Sequence, residues 1–365
     1  MILEAIKYIP ILCLKPAEMV AVQELPEKEK DILLPLFVLK RWLASKNFCK
    51  SLERIQEAFG DRACILDLDS DHLIELKNKD GEKHLDFLSE FEPLFDSANG
   101  YMSWVEFISK NKKFIPVLQL QDLSELEKQI DNFNNIGKLM VLRLKRVNLN
   151  SNDFETIIKK IHSKVFHNGL IIQVDYEDIT RKELIEYENL LKIFEQLYGL
   201  FPHAYFSFSA TSFPFSFANS YRGELPIYER QIFNKIFSAL NHKKLIYSDR
   251  GSARASTQMS VGTPPPRIDY PLKNDWRFVR KEFRDGLKKE YLYAEAAMEI
   301  ISSDFWMPKL QLWGTQMIEK TSLNDKYGIY NPTRATAVRI NIHLYQQLHY
   351  LENVEDLDTD ELWED

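Results

Sequence analysis

AYFSFSATSFPF (Ala204–Phe215) and LIYSDRGSARAS (Leu245–Ser256) flank a helical segment, and their reading decides the fold. In the first, Tyr205, Ser207 and Ser209 alternate with Phe206 and Phe208, the period-2 pattern of a strand, and Pro214 ends regular pairing. The second is a short strand that runs into Asp249, Arg250 and Gly251. Read as strands seven and eight of a (β/α)8 barrel, the two bring their C-terminal ends to one pocket. The loops after these strands often bind phosphate in such barrels. Ser hydroxyls donate, Gly admits close backbone approach, and Arg makes forked bonds to phosphate oxygens. A Ser-rich loop that only closes over the sheet is the bland alternative.

Working outward, strand-like and helix-like segments alternate from the start of the chain. Apolar runs at 9–15, 33–40, 63–69, 114–121, 138–146 and 170–175 precede the two quoted strands, with amphipathic helical segments between them. Eight such repeats in the first 254 residues match the size of a TIM-like (β/α)8 barrel. An open doubly wound α/β sheet also alternates in this way. The polar ends of the strands favour the barrel: Lys15; Lys40; Asp67 and Asp69; Gln119 and Gln121; Arg143 and Lys145; Gln173 and Asp175; Ser207 and Ser209; Asp249. Residues two apart share a face, so a closed barrel gathers these groups into one polar mouth. Residues 70–86 read as an irregular insert with a turn at Lys79-Asp80-Gly81. Residues 255–275, with three consecutive prolines, read as a linker. Residues 276–350 read as a mostly helical extension that starts at Trp276, and 351–365 as a disordered acidic tail.

The 365 residues carry a net charge of −7, which gives no global preference for nucleic acid. No apolar run reaches the length of a membrane span. The N-terminus carries Glu4 and Lys7 and reads as a strand rather than a signal peptide. Cys13, Cys49 and Cys64 show no CxxC spacing, which fits a reducing cytoplasm and no zinc site. P-loop, GxGxxG and GxSxG motifs are absent.

YIPILCLKPAE (Tyr8–Glu18), SFP (Ser212–Pro214), the ordered set Glu229, Asp249, Tyr270, Trp276 and Arg280, and VRINIH (Val338–His343) together resemble the "beta protein" family of phages, prophages and bacterial genomes. Departures are Pro16-Ala17 where a Gly is expected, Ile227 where an Arg is expected and Arg250 where an aromatic is usual. The resemblance implies a setting in phage biology or antiviral defence rather than a chemistry.

Four acids and several cations at strand ends can pair with one another and hold the mouth together without a ligand. Alternatively, carboxylates hold Mg²⁺ while Lys and Arg clamp a phosphoryl group, or a Lys forms a Schiff base. The candidate catalytic set is Lys15, Asp67, Asp175 and Asp249, with Asp67 and Asp69 as metal ligands. The candidate ligand contacts are Glu18, Lys40, Arg143, Ser209, Ser212, Glu229, Arg250, Arg254 and Arg280. The expected ligand is a phosphate-bearing small molecule or a nucleic-acid end, bound or hydrolysed in the manner of a phosphodiesterase. The alternative is a non-catalytic scaffold that docks partner proteins through its C-terminal extension.

Overall fold

In the computed structural model, residues 3–78, 85–217, 220–241, 244–256 and 263–352 are described. The turn expected at Lys79-Asp80-Gly81 and the acidic tail beyond Glu352 lie outside them. The strands are β1 (Ile11–Cys13), β2 (Leu36–Leu39), β3 (Cys64–Leu68), β4 (Phe114–Pro116), β5 (Met140–Lys145), β6 (Leu170–Asp178), β7 (Tyr205–Thr211), β8 (Arg222–Pro226), β9 (Leu245–Tyr247), β10 (Arg267–Pro271) and β11 (Asp275–Arg280).

Eight of these strands form two parallel four-stranded sheets, β1-β2-β3-β4 and β5-β6-β7-β9. Parallel neighbours need a crossover, and helices such as Cys49–Phe59, Leu126–Asn135 and Tyr187–Leu200 supply it. Two isolated parallel bridges, Val117 with Val141 and Tyr8 with Tyr247, join the sheets at both edges. The Leu118 N–H donates to the Val141 carbonyl at 2.9 Å, and the Ile9 N–H to the Tyr247 carbonyl at 2.9 Å.

Strand alternation divides the apolar residues into two cores. Ile11, Leu36, Ile65, Ile115, Val141, Ile171 and Ile246 share one cluster, to which every parallel strand except β7 contributes a buried residue and against which Tyr205 of β7 packs. Their neighbours in sequence, Leu12, Phe37, Leu66, Phe114, Leu142, Ile172 and Phe206, belong to the larger cluster with the helices. Two and four residues along from the first set come Asp67, Arg143, Gln173 and Ser207, then Lys145, Asp175 and Ser209. Register aligns them in rows: Arg143 opposite Gln173, Gln173 opposite Ser207, Lys145 opposite Asp175, Asp175 opposite Ser209.

Three expectations are corrected. Residues 70–78 form a helix, with the Asp69 carboxylate accepting the His72 N–H at 2.9 Å. Part of the expected linker is strand β10, and the expected helix at Trp276 is strand β11; β10, β11 and β8 make an antiparallel sheet. Trp276 and Phe278 are buried while Arg277 is half-buried, so this stretch follows period 2, and the helix begins only at Lys289.

The helix Pro332–Leu348 is buried on every side from Ala337 to Leu348. It carries polar residues into that interior, and several find partners there, as burial requires. Arg339 donates to Asp269 at 2.8 Å, Asn341 to the Ala21 carbonyl at 3.0 Å, and Gln347 accepts from Arg230 at 2.7 Å. The helix is therefore a structural axis shared by the N-terminal helix Pro16–Gln23, β10 and the helix Trp313–Ser322.

Candidate functional site

The polar ends of the parallel strands open on a chamber of about 800 Å³. Lys15, Lys40, Arg143, Lys145, Arg146 and Arg250 line it with Asp69, Asp71, His72, Glu75, Glu177 and Asp178. A smaller cleft of about 180 Å³ shares Arg143 and Lys145 and is lined also by Asp67, Gln119 and Gln121.

A buried ion-pair chain forms the floor. Arg143 donates to Asp67 at 2.7 Å and to Asp175 at 2.6 Å, and Arg250 reaches the same Asp175 oxygen at 2.6 Å. Burial pushes the Asp175 carboxyl up, but Arg250 and Arg143 outweigh it and hold it below its ordinary value. Asp67 also accepts the N–H of Leu68 and a long bond of 3.3 Å from Gln119. Asp67 and Asp175 are thus committed to arginines. Asp69 caps the next helix, and among the described residues no group of three or more His, Cys, Asp or Glu is placed to hold a metal ion.

The cations are not all committed. Among the described residues Lys40 and Lys145 carry no ion pair, and the Nε of Arg250 is buried without a hydrogen-bond partner. Lys15 lies 3.9 Å from Glu18, whose carboxylate is turned inward to accept the Cys13 N–H at 2.5 Å. A register shift between Asp175 and Asp178, with Glu177 at φ 58°, turns Glu177 and Asp178 toward the chamber. Such bulges re-aim side chains next to functional sites.

Other expected site residues lie elsewhere. Asp249 is fully buried outside the chamber. It accepts from the hydroxyls of Tyr8 and Tyr247, from the Gly251 N–H at 2.7 Å and from His343 Nε2 at 2.7 Å. The Trp276 indole N–H can only donate, so His343 Nδ1 accepts it and Nε2 carries the proton toward Asp249. Ser209 is buried and does not line the chamber. Arg280 binds the Phe217 carbonyl and Glu282. Ser212 and Arg254 line a second cavity beside the chamber. The sequence reading missed His72, hidden in the stretch taken as irregular. It lines the chamber, burial lowers its pKa, and its Nε2 is without a hydrogen-bond partner.

Glu229 is buried, with one oxygen accepting the Ser212 N–H at 3.0 Å and hydroxyl at 2.5 Å and the other unpartnered. Burial pushes its carboxyl from 4.5 to about 8, against the Ser212 bonds. The folded value exceeds the unfolded one. Its contribution to stability is therefore complete below about pH 4.5 and is lost as pH rises through about 8, on the order of 5 kcal/mol in total. Asp175 and Asp249, both lowered, act in the opposite sense, and their contribution is lost as pH falls. Urea unfolding between about pH 5 and 9 should show Glu229→Gln gaining on the parent protein as pH rises. Parallel pH profiles in the two proteins would contradict the assignment.

Residues 8–349 match the family model described as Beta protein. Protein beta of Enterobacteria phage P4 is 29% identical over 358 residues, covering 96% of this chain and 95% of that protein. The carboxyl transferase domain of Rhizobium etli pyruvate carboxylase with pyruvate and biocytin aligns at a TM-score of 0.36 and 9% identity, over 71% of this chain and 42% of that one. The same domain with 3-hydroxypyruvate aligns at 0.37 and 9% identity, over 98% of this chain and 50% of that one. This chain spans half or less of those structures, and likeness at that level carries no argument. No helix among the described residues is long and apolar enough to cross a membrane. The match over nearly the full length, which takes in the Tyr8–Glu18, Ser212–Pro214 and Val338–His343 motifs, settles the affiliation: the chain belongs to the Beta protein family.

Proposed function

We propose that the eight parallel strands close into a (β/α)8 barrel and that the chamber at their C-terminal ends binds a phosphate-bearing ligand. The bridges at both sheet edges and the apolar cluster fed by strands of both sheets support the closure. Active sites of such barrels lie at that end. The observation that carries the ligand reading is the set of uncommitted cations lining one space: Lys40 and Lys145, without an ion pair among the described residues, and Arg250, whose buried Nε has no hydrogen-bond partner. A buried guanidinium nitrogen without an acceptor is costly, and an anion supplies the acceptor. The carboxylates beneath and beside the chamber have a different part. Asp175 fixes Arg143 and Arg250, and Asp178 fixes the loop after β9 by accepting the N–H groups of Ala255 and Ser256 at 3.0 and 2.9 Å. The carboxylates that would take Mg²⁺ already have protein partners, so the ligand's charge is met by side-chain cations.

Hydrolysis is the catalytic form of this reading. His72 is the group fitted to it, since its lowered pKa leaves a neutral imidazole to accept a proton from water. Calorimetric titration with inorganic pyrophosphate, together with product analysis on a phosphodiester, tests both forms. In Lys40→Ala/Lys145→Ala, pyrophosphate affinity should fall by about ten-fold or more, as loss of two charge-assisted contacts implies. His72→Gln should leave binding and abolish turnover. Failure of the parent protein to bind pyrophosphate at low salt would overturn the reading.

A further inference from the structure

The chamber has a neighbour of different character. A cavity of about 460 Å³ is lined by Phe213, Pro214, Phe215, Leu225 and Tyr228 and shares Asp178 and Ser256 with the charged chamber. Both volumes fall in the range of about 300–1,000 Å³ usual for small-molecule sites. We infer that the two form one bipartite site for a nucleoside phosphate, with the phosphate in the charged chamber and the base in the aromatic one. The inference rests on the anion-binding reading above.

Three features favour a base over an alkyl group. One wall is planar: the Phe215 ring with the Arg254 guanidinium carbon 4.2 Å from its centre, while Phe213 closes the buried end and is itself packed on Arg339, Trp276 and Phe217. Flat π surfaces and guanidinium planes hold bases by stacking. The rim is polar, with Arg254 Nη1 buried without a partner and the Thr180 hydroxyl close by. An alkyl chain would leave the Arg254 donor unmet, the Thr180 hydroxyl already donating to Glu183 at 2.9 Å, whereas a ring nitrogen or carbonyl of a base accepts from it. The junction carries the carboxylate of Asp178. Each of its oxygens already takes one backbone N–H and keeps a lone pair, which suits a ribose hydroxyl. Phe215 belongs to none of the apolar clusters among the described residues. It is 63% exposed and packs on Arg254 at the cavity edge.

The test compares pyrophosphate, the four common nucleoside diphosphates, the matching nucleosides and a 5′-diphosphorylated tetranucleotide by calorimetry on the full chain. At least one diphosphate should bind about ten-fold more tightly than pyrophosphate, the gain expected from one stacked base. Phe215→Ala should erase that gain and Phe215→Tyr restore it, with pyrophosphate as the internal reference. Equal or tighter binding of the tetranucleotide assigns the site to a strand end; weaker binding assigns it to a free nucleotide. If pyrophosphate binds and no diphosphate exceeds it, the aromatic subsite is overturned and the anion site stands. If neither binds, both readings fall. Nucleosides that bind as tightly as their diphosphates also overturn both.

Discussion

Replacing Asp249 with alanine is expected to destabilise the protein by about 4 kcal/mol, the usual cost of breaking a buried charged network. The substitution removes the acceptor of four donors at once: the hydroxyls of Tyr8 and Tyr247, the Gly251 N–H and His343 Nε2–H. None of these can turn to water, since Asp249, Tyr8 and His343 are all fully buried. Tyr8 and Tyr247 are also the residues of the bridge between the first and last parallel strands. Gly251 sits at φ 57° with Leu12 3.0 Å from where a Cβ would lie, so the turn it makes depends on that anchor. One carboxylate thus ties together the sheet edges, the loop that presents Arg250 and the helix Pro332–Leu348. Urea unfolding measures the loss, and an accompanying fall of roughly 5–10 °C in melting temperature is expected. Lys40 and Lys145 are untouched, so pyrophosphate should still bind the folded fraction, more weakly because the loop carrying Arg250 has lost its anchor. A variant with parental stability and no anion binding would instead put Asp249 in the site.

Arg143→Met is expected to cost about 3–5 kcal/mol. The guanidinium is buried and binds two carboxylates, at 2.7 Å to Asp67 and 2.6 Å to Asp175. Burial works against its charge, yet the two aspartates raise its pKa further. Without it Asp175 retains Arg250, but Asp67 is left with the Leu68 N–H and a long bond from Gln119. The penalty therefore comes mostly from a stranded charge, and it should shrink when the charge is also removed. Arg143→Met/Asp67→Leu is expected to recover at least about 1 kcal/mol relative to Arg143→Met alone, the size of coupling normal for contacting partners. Equal stability of the single and double variants would show that Asp67 does not depend on Arg143.

The period-2 phase of the strands explains what could be read from sequence. Ile65 and Asp67, Val141, Arg143 and Lys145, and Ile171, Gln173 and Asp175 each lie on one face, apolar first and polar after. That pattern named five of the charged residues that line the chamber, Lys15, Lys40, Asp69, Arg143 and Lys145, but not Asp71, His72, Glu75, Arg146, Glu177 or Asp178. The same rule, applied strictly, separates Asp249 from the chamber. Ile246 belongs to the same apolar cluster as Ile65, Val141 and Ile171, so Ser248 and Arg250 follow it on that face, while Tyr247 and Asp249 point the other way. Their partners, Tyr8 and His343, are 241 and 94 residues distant, and no local signal names them. DWRFVR at Asp275–Arg280 carried a legible alternation that its neighbouring aromatics and charges disguised as a helix. The strand β8 was not legible, because Arg222, Gly223 and Glu224 are exposed and present no apolar face. Ion pairing between Arg143 and two aspartates was foreseeable in kind from burial alone. Which cations it leaves free, Lys40 and Lys145, depends on three-dimensional spacing that residue type does not encode.

The most direct test of anion binding in the chamber is an anomalous difference map from crystals of the full chain soaked in tungstate, a heavy analogue of phosphate. A peak is expected inside the chamber, within hydrogen-bond reach of Arg250 and of Lys40 or Lys145. Tungstate found only on the outer surface, with the chamber containing none, would contradict the proposal.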